Sequence, residues 1–417
     1  MTATATPADT VRNVPLVSEL DLPEVDPLDP TLRGAHFHDV LDDVVARSWL
    51  ARTALGTVVL EHEAGLEFLR DRRLSFPSLE LLELQGITEG PLYDRTKQGL
   101  LGRIGDDHAR LRRLISPAFT PRAIERLRPQ VHAFLRQLWD AVAADGECDF
   151  VDAFARRLPS LVIAELLGLP GESDRMAAYS EALQGSLKSD VVVARAELEA
   201  AYLEVYAYIE DVVDQRRRAL GDDLVSALVA VEQEGDRLST EDCVSLVSSV
   251  IAGGTDTTQA QLAHGMRLFV EHPEQWELLS RQPELGPQAA NEVLRFEPIT
   301  PFTARRARED VEARGITFPD GTVLFVCAAT ANRDPSVFTH PERFDITIDR
   351  GSASILTFGN GPHFCVGATL ARVELADTFS FLAPRMREPR FTSPPVYGSP
   401  IGIYAMESVP IRFDCAQ

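Results

Sequence analysis

The sequence predicts a mainly α fold with a smaller β region, and three observations carry that expectation. Apolar residues recur at three- and four-residue spacings through much of the chain before residue 300, as buried helix faces require. After about Phe302 the pattern shifts to short strand-like runs around turn residues, as in ITFPDGTVLFVCAAT. No repeat and no Gly/Ser linker divides the chain, so residues 16–417 read as a single domain. The small, polar residues 1–15 read as a disordered lead-in.

In chain order, GTVVLEH (Gly56 to His62) reads as a strand and the following GLEFLRD as helix. The stretch from about Ser78 to Leu101, with Gly86, Gly90, Pro91 and Gly99, reads as an irregular cover. Ile124, Leu127, Val131, Phe134, Leu138 and Val142 mark one helix face, divided near Pro129. Leu198, Tyr202, Val205, Ile209 and Val212 mark a second amphipathic helix near Glu197–Arg217. A longer helix is bracketed by Ser239 and Pro273. Ser239 or Thr240 would cap it, and Glu241 and Asp242 complement its dipole. Roughly 30 residues at about 1.5 Å each would make it on the order of 45 Å long.

The 417 residues carry 41 basic and 63 acidic side chains, a net charge of −22. That balance argues against a nucleic-acid binder. The five cysteines (148, 243, 327, 365 and 415) are widely spaced and include no CxxC pair, which fits a reducing cytoplasm rather than a disulfide or zinc framework. No run of about 20 apolar residues offers a membrane span, so a soluble protein is expected.

The densest chemical signal is Phe358-Gly359-Asn360-Gly361-Pro362-His363-Phe364-Cys365-Val366-Gly367, ahead of the helical ATLARVELA. Its glycines let backbone turn sharply beside a flat ligand. A cysteine just before a helix meets amides that favour the thiolate, a good iron ligand. Upstream, Glu292 and Arg295 stand at i,i+3 on one helix face, and Pro341-Glu342-Arg343-Phe344 follows some distance later. The long helix carries Ala252-Gly253-Gly254-Thr255-Asp256-Thr257-Thr258. Two interior glycines cost a helix about 1 kcal/mol each, which suggests that something needs the space. An acid beside a hydroxyl suits proton relay.

These three segments, in this order, resemble the signatures of the cytochrome P450 superfamily, in its soluble bacterial, ferredoxin-dependent form. The resemblance runs from about residue 100 to the end. It implies the P450 fold and a haem b cofactor, with Cys365 as the axial ligand of the iron and Phe358 and Gly359 beside the ring. It further implies proton delivery by Asp256 and Thr257, an oxygen groove at Gly253 and Gly254, and a structural cluster of Glu292, Arg295 and Arg343. Haem propionates need cationic partners. The matching positions are His108 and Arg112, Arg305 or its neighbour Arg306, and His363.

The implied enzyme is a monooxygenase that activates O2 and inserts one oxygen atom into a lipophilic organic substrate by hydroxylation or epoxidation. Candidate substrate contacts are Leu81, Leu82, Ser249, Ala252, Ile299, Phe302 and Ile401. The chain has no nucleotide-binding fingerprint, so electrons should come from a separate ferredoxin and ferredoxin reductase. Arg103, Arg110, Arg113 and Arg372 are candidates for a basic docking patch. A monomer is expected. Two other functions suit the same motifs: a peroxide-driven or non-hydroxylating haem enzyme, and a haem sensor or carrier. The Asp256-Thr257 pair favours oxygen activation over both.

Overall fold

The computed structural model describes residues 14–185, 194–233, 238–348, 350 and 353–415. Most of the expected lead-in lies outside these residues. Its last member is tied down, because the Pro15 carbonyl accepts from the Thr317 amide at 2.9 Å.

The chain alternates helix with short strands and places most of its helices before residue 300. The helices that bear on the site are α1 (Gly105–Ile115), α2 (Arg128–Asp140), α3 (Arg157–Leu166), α4 (Ser173–Gln184), α5 (Arg195–Arg218), α6 (Thr240–Gly254), α7 (Asp256–Glu271), α8 (Gly286–Phe296) and α9 (Ala368–Leu382). On α2 the predicted face is buried at Val131 and Leu138, while Leu135 fills the place expected of Phe134, which is half-buried, and Pro129 sits in the first turn, where its missing amide costs nothing. On α5 the stripe Tyr202, Val205, Ile209 and Val212 faces inward. These helices share one large apolar core.

Strands β1 (Leu50–Thr53), β2 (Gly56–Val59), β3 (Leu74–Ser75), β4 (Phe302–Ala307) and β5 (Val323–Cys327) form a sheet in the order β1-β2-β5-β4-β3. The β2–β5 pair is parallel and the other pairs are antiparallel. The Pro319-Asp320-Gly321 turn is present, with the Thr322 amide donating to the Pro319 carbonyl at 3.0 Å and Gly321 at φ +85°. The strands on its two sides do not pair with each other. Ile316–Phe318 folds back on Val311–Ala313, and β5 enters the larger sheet.

Two expectations are corrected. The stretch from Ser78 to Leu101 is not irregular: it holds the helices Ser78–Glu83 and Pro91–Gln98. Gly90, at φ +103°, and Pro91 mark a helix start, and Leu82, Ile87 and Leu92 pull the segment into the core. The long helix is also two helices, α6 and α7, broken at Thr255. Its start follows the expected chemistry: the Ser239 hydroxyl accepts from the Asp242 amide at 3.1 Å, and the Asp242 carboxylate accepts from the Ser239 amide at 3.2 Å.

Candidate functional site

The cysteine loop is a tight backbone structure that ends on α9. The Cys365 amide donates to the Phe358 carbonyl at 2.9 Å, and the Gly359 amide to the Leu356 carbonyl at 2.8 Å. Gly361, at φ +69°, is required twice over, since a Cβ there would meet the Leu69 carbonyl oxygen at 2.4 Å. Burial raises the Cys365 thiol; the Gly367 and Ala368 amides at the start of α9 and the charges of Arg112 and Arg372 act the other way and favour its thiolate. Cys365 is exposed, with Arg112 and Arg372 near enough for their charges to act on its sulfur.

A cluster of basic groups stands beside that sulfur. His108 is buried on α1, its ring centroid 4.3 Å from that of His363. Burial lowers His108, and the charge of Arg112 lowers it further. His363 is pushed down to about 3 by burial and by His108, Arg305 and Arg112. Arg305 is 2% exposed, and burial brings it down to about 10. Its guanidinium donates to the Ala304 carbonyl at 2.8 Å. Among the described residues no carboxylate pairs with any of these four groups, and the Nδ1 of His363 has no partner. Arg306, the alternative to Arg305, lies 3.9 Å from both Glu80 and Asp320, so its charge is already answered.

The helix break carries the predicted proton-delivery pair. Asp256 opens α7, and the Thr257 hydroxyl donates to the Gly253 carbonyl at 2.7 Å. The two glycines separate in role. A Cβ on Gly253 would meet nothing within 4 Å, whereas one on Gly254 would lie 2.3 Å from Ile163 Cδ1 of α3. Gly253 therefore borders open space. Gly254, expected at the groove, is instead a packing glycine.

The expected Glu–Arg–Arg cluster needs one correction. Arg295 is fully buried and donates to both Glu292 oxygens, at 2.8 and 2.7 Å. Its remaining donors reach the carbonyls of Asn332, Pro341 and Arg343. The third side chain on Glu292 is Arg350, at 3.2 and 2.7 Å, not Arg343. The side chain of Arg343 is 65% exposed and stands 3.6 Å from Glu342. Position 343 contributes its backbone carbonyl, which accepts from both arginines.

The candidate substrate contacts also divide. Leu82 is fully buried and Ile299 nearly so, which leaves them little surface for a ligand. Leu81, Ser249, Ala252, Phe302 and Ile401 keep partial exposure. Of the proposed docking arginines, Arg103 and Arg110 are bound to Asp107 and Asp242, and Arg372 lies 4.5 Å over the Phe358 ring. Arg113 is exposed.

Comparison with known proteins gives the arrangement a family. The cytochrome P450 family model matches residues 284–383. Luteothin monooxygenase from Streptomyces thioluteus is 37% identical over 95% of this chain and 97% of its own length. Mycinamicin IV hydroxylase/epoxidase from Micromonospora griseorubida is 39% identical over 70% of this chain and 73% of its own. The chain belongs to the cytochrome P450 family. Its fold superposes on the crystal structure of CalO2 with a TM-score of 0.87 at 28% identity, covering 95% of this chain and all of that one. Epothilone D-bound cytochrome P450epoK gives 0.84 at 30% identity, over 94% and 99% of the two chains. The chain is a P450 monooxygenase, and the P450 family implies haem.

The residues present fit that group. A P450 haem needs a thiolate on the iron and cations for its propionates. Here the Cys365 sulfur, at the start of a helix, stands near Arg112 and Arg305, which have no carboxylate partner among the described residues, and near two histidines held toward the neutral form. An unpaired buried charge is expensive, so the two arginines suit an anionic ligand, to which the imidazoles can donate hydrogen bonds. Two contributors had no sequence signal: Arg350 sits seven residues past Arg343, and Gln184, on the helix α4, bonds the Ala252 carbonyl near the helix break. No helix among the described residues is long and apolar enough to cross a membrane.

Proposed function

We propose that this P450 holds haem b through Cys365 and oxidises a polyketide-type substrate in the cytoplasm, with electrons from a ferredoxin and its reductase. The observation that carries the haem assignment is the pairing of the Cys365 sulfur, at the start of α9, with the acid-free cluster of His108, Arg112, Arg305 and His363. Phe358 and Gly359 would form the near wall of the ring site. When bound, haem supplies the redox chemistry that splits dioxygen and delivers one oxygen atom to the substrate.

The chain's own residues do the rest. The Gly367 and Ala368 amides stabilise negative charge on Cys365. Arg112 and Arg305, with His108 and His363 as donors, would hold the propionates of the ring. Thr257, anchored on the Gly253 carbonyl, holds its proton at the helix break, and Asp256 resupplies it. Gly253 leaves room for the small reactant. Glu292, Arg295 and Arg350 are positioning residues that fix α8 to the segment leading into the cysteine loop. Arg113 is the docking arginine with the freest charge. The polyketide assignment is supported by relatives whose names include an epothilone C/D epoxidase and a mycinamicin IV hydroxylase/epoxidase.

Two measurements test this. The reduced, haem-loaded protein should give a red-shifted thiolate-type band with carbon monoxide, and Cys365→Ser should lose it. Survival of that band in the serine variant overturns the ligand assignment. A screen of macrolides, terpenoids, steroids and fatty acids, read by the haem spin-state shift, tests the substrate class. A response confined to the non-polyketide compounds overturns that part alone. Label from ¹⁸O₂ in the product separates oxygen activation from peroxide-driven chemistry.

A further inference from the structure

The last carbonyls of a helix lose the amides that would otherwise bond them. At the end of α6 two adjacent carbonyls are met by side chains instead. The Gly253 carbonyl accepts from the Thr257 hydroxyl at 2.7 Å. The Ala252 carbonyl accepts from the Gln184 amide nitrogen at 2.6 Å, and more weakly from Ser180 Oγ at 3.4 Å. The first bond stays within the α6–α7 break. The second comes from another helix, the last residue of α4.

This cross-helix bond sits within a firm frame. Gly254 is pressed against Ile163 on one side of α6. The Tyr202 hydroxyl of α5 donates to the Leu183 carbonyl at 2.8 Å and fixes the end of α4 from above. Ser248, about two turns before the break, bonds Tyr206 of α5 at 3.2 Å. Gln184 and Ala252 are both only half-buried, so this contact lies at the edge of reachable space rather than in sealed core. The glutamine amide is thus the shorter of two polar links from α4 to a backbone atom one residue before the carbonyl that anchors Thr257.

We propose that Gln184 is a positioning residue that sets the opening of the helix break, and through it the place of the Thr257 hydroxyl. A substrate that shifts α4 would then be felt at the proton-delivery step. The role assigned to Thr257 rests on the proposed function above; the mechanical link between α4 and the break does not.

The test uses Gln184→Leu and the near-isosteric Gln184→Glu, which keeps the size and loses the donor. Both are made in the full chain and checked for a wild-type carbon monoxide band. Amide hydrogen exchange, read by mass spectrometry across residues 250–260, should rise about fivefold in both, the population change that one neutral hydrogen bond controls. Product formed per O2 consumed should fall by a similar factor, with the balance released as hydrogen peroxide. Turnover driven by added peroxide, which does not depend on proton delivery to dioxygen, should stay within about twofold.

Wild-type exchange at the break in both variants overturns the proposal, whatever the activity. A loss that is equal with O2 and with peroxide marks Gln184 as merely structural and overturns it too. If the wild-type protein shows no O2-dependent product while the exchange prediction holds, the monooxygenase reading fails and the mechanical link stands.

Discussion

Arg350 and Arg343 form a matched pair for mutation, because the sequence motif points to one and the structure to the other. Arg350→Ala removes two charge-assisted bonds to Glu292, at 3.2 and 2.7 Å, and one to the Arg343 carbonyl at 3.1 Å. It also removes contacts with the carbonyls of Thr339 and His340. Its side chain is 12% exposed and that of Glu292 is 3%. Bonds to charged groups contribute about 1.5–3 kcal/mol each when buried, but Glu292 keeps Arg295 and water can enter beside the truncated chain. We therefore expect a loss of about 2–4 kcal/mol. The side chain of Arg343 is 65% exposed and meets an equally exposed Glu342 at 3.6 Å. Such a surface pair contributes about 0–1 kcal/mol, so Arg343→Ala should stay within about 0.5 kcal/mol of wild type. Urea denaturation followed by tryptophan fluorescence and by haem release reads both. Equal destabilisation, or a larger loss from Arg343→Ala, would refute the reassignment.

The two glycines at the break should respond in opposite ways. Gly254→Ala drives a methyl into Ile163 and should cost about 1–3 kcal/mol in the denaturation midpoint. Gly253→Ala meets no atom, so stability should hold or rise by up to about 1 kcal/mol while O2-driven turnover falls. Glu374 is fully buried on α9, has no partner for either oxygen among the described residues, and is pushed up to about 8 by burial. The folded state therefore holds a proton that the unfolded state releases above about 4.5. Stability should fall as pH rises from 4.5 to 8, and Glu374→Gln should flatten that slope; parallel profiles would contradict the burial argument. The sign reverses for His363, whose folded value of about 3 lies below its ordinary 6.5. Unfolded chains bind the extra proton, so the haem-free protein should lose stability as pH drops from about 6.5 toward 3. His363→Phe should remove part of that loss in an acid titration followed by circular dichroism.

How much was legible in the sequence depended on whether the signal was local. The cysteine loop, the Ser239 cap and the Pro129 boundary are written in a few adjacent residues, and each follows from backbone geometry. The Glu292–Arg295 pair was equally plain because one helix turn brings the two together. Arg350 was missed because its partner is 58 residues away and only the folded loop aligns them. The break at Thr255 was hidden because the helix was read from its two ends, Ser239 and Pro273; the two glycines and the polar run after them hinted at the cost but not at a broken axis. Leu82 was misjudged for the opposite reason. Glycine and proline around it read as loop, whereas they cap two short helices that turn the leucine inward.

The arginines near Cys365 have a consequence for how the chain matures. Arg305 is buried and Arg112 half-buried, neither is paired with a carboxylate among the described residues, and His108 and His363 beside them are held toward the neutral form, so the two guanidinium groups add to the expense of folding around them. A dicarboxylate that settles between them offsets that expense and stabilises the native state through binding. The haem-free chain should then be the less stable form, and cells short of the cofactor would hold a polypeptide more open to proteases than the loaded one.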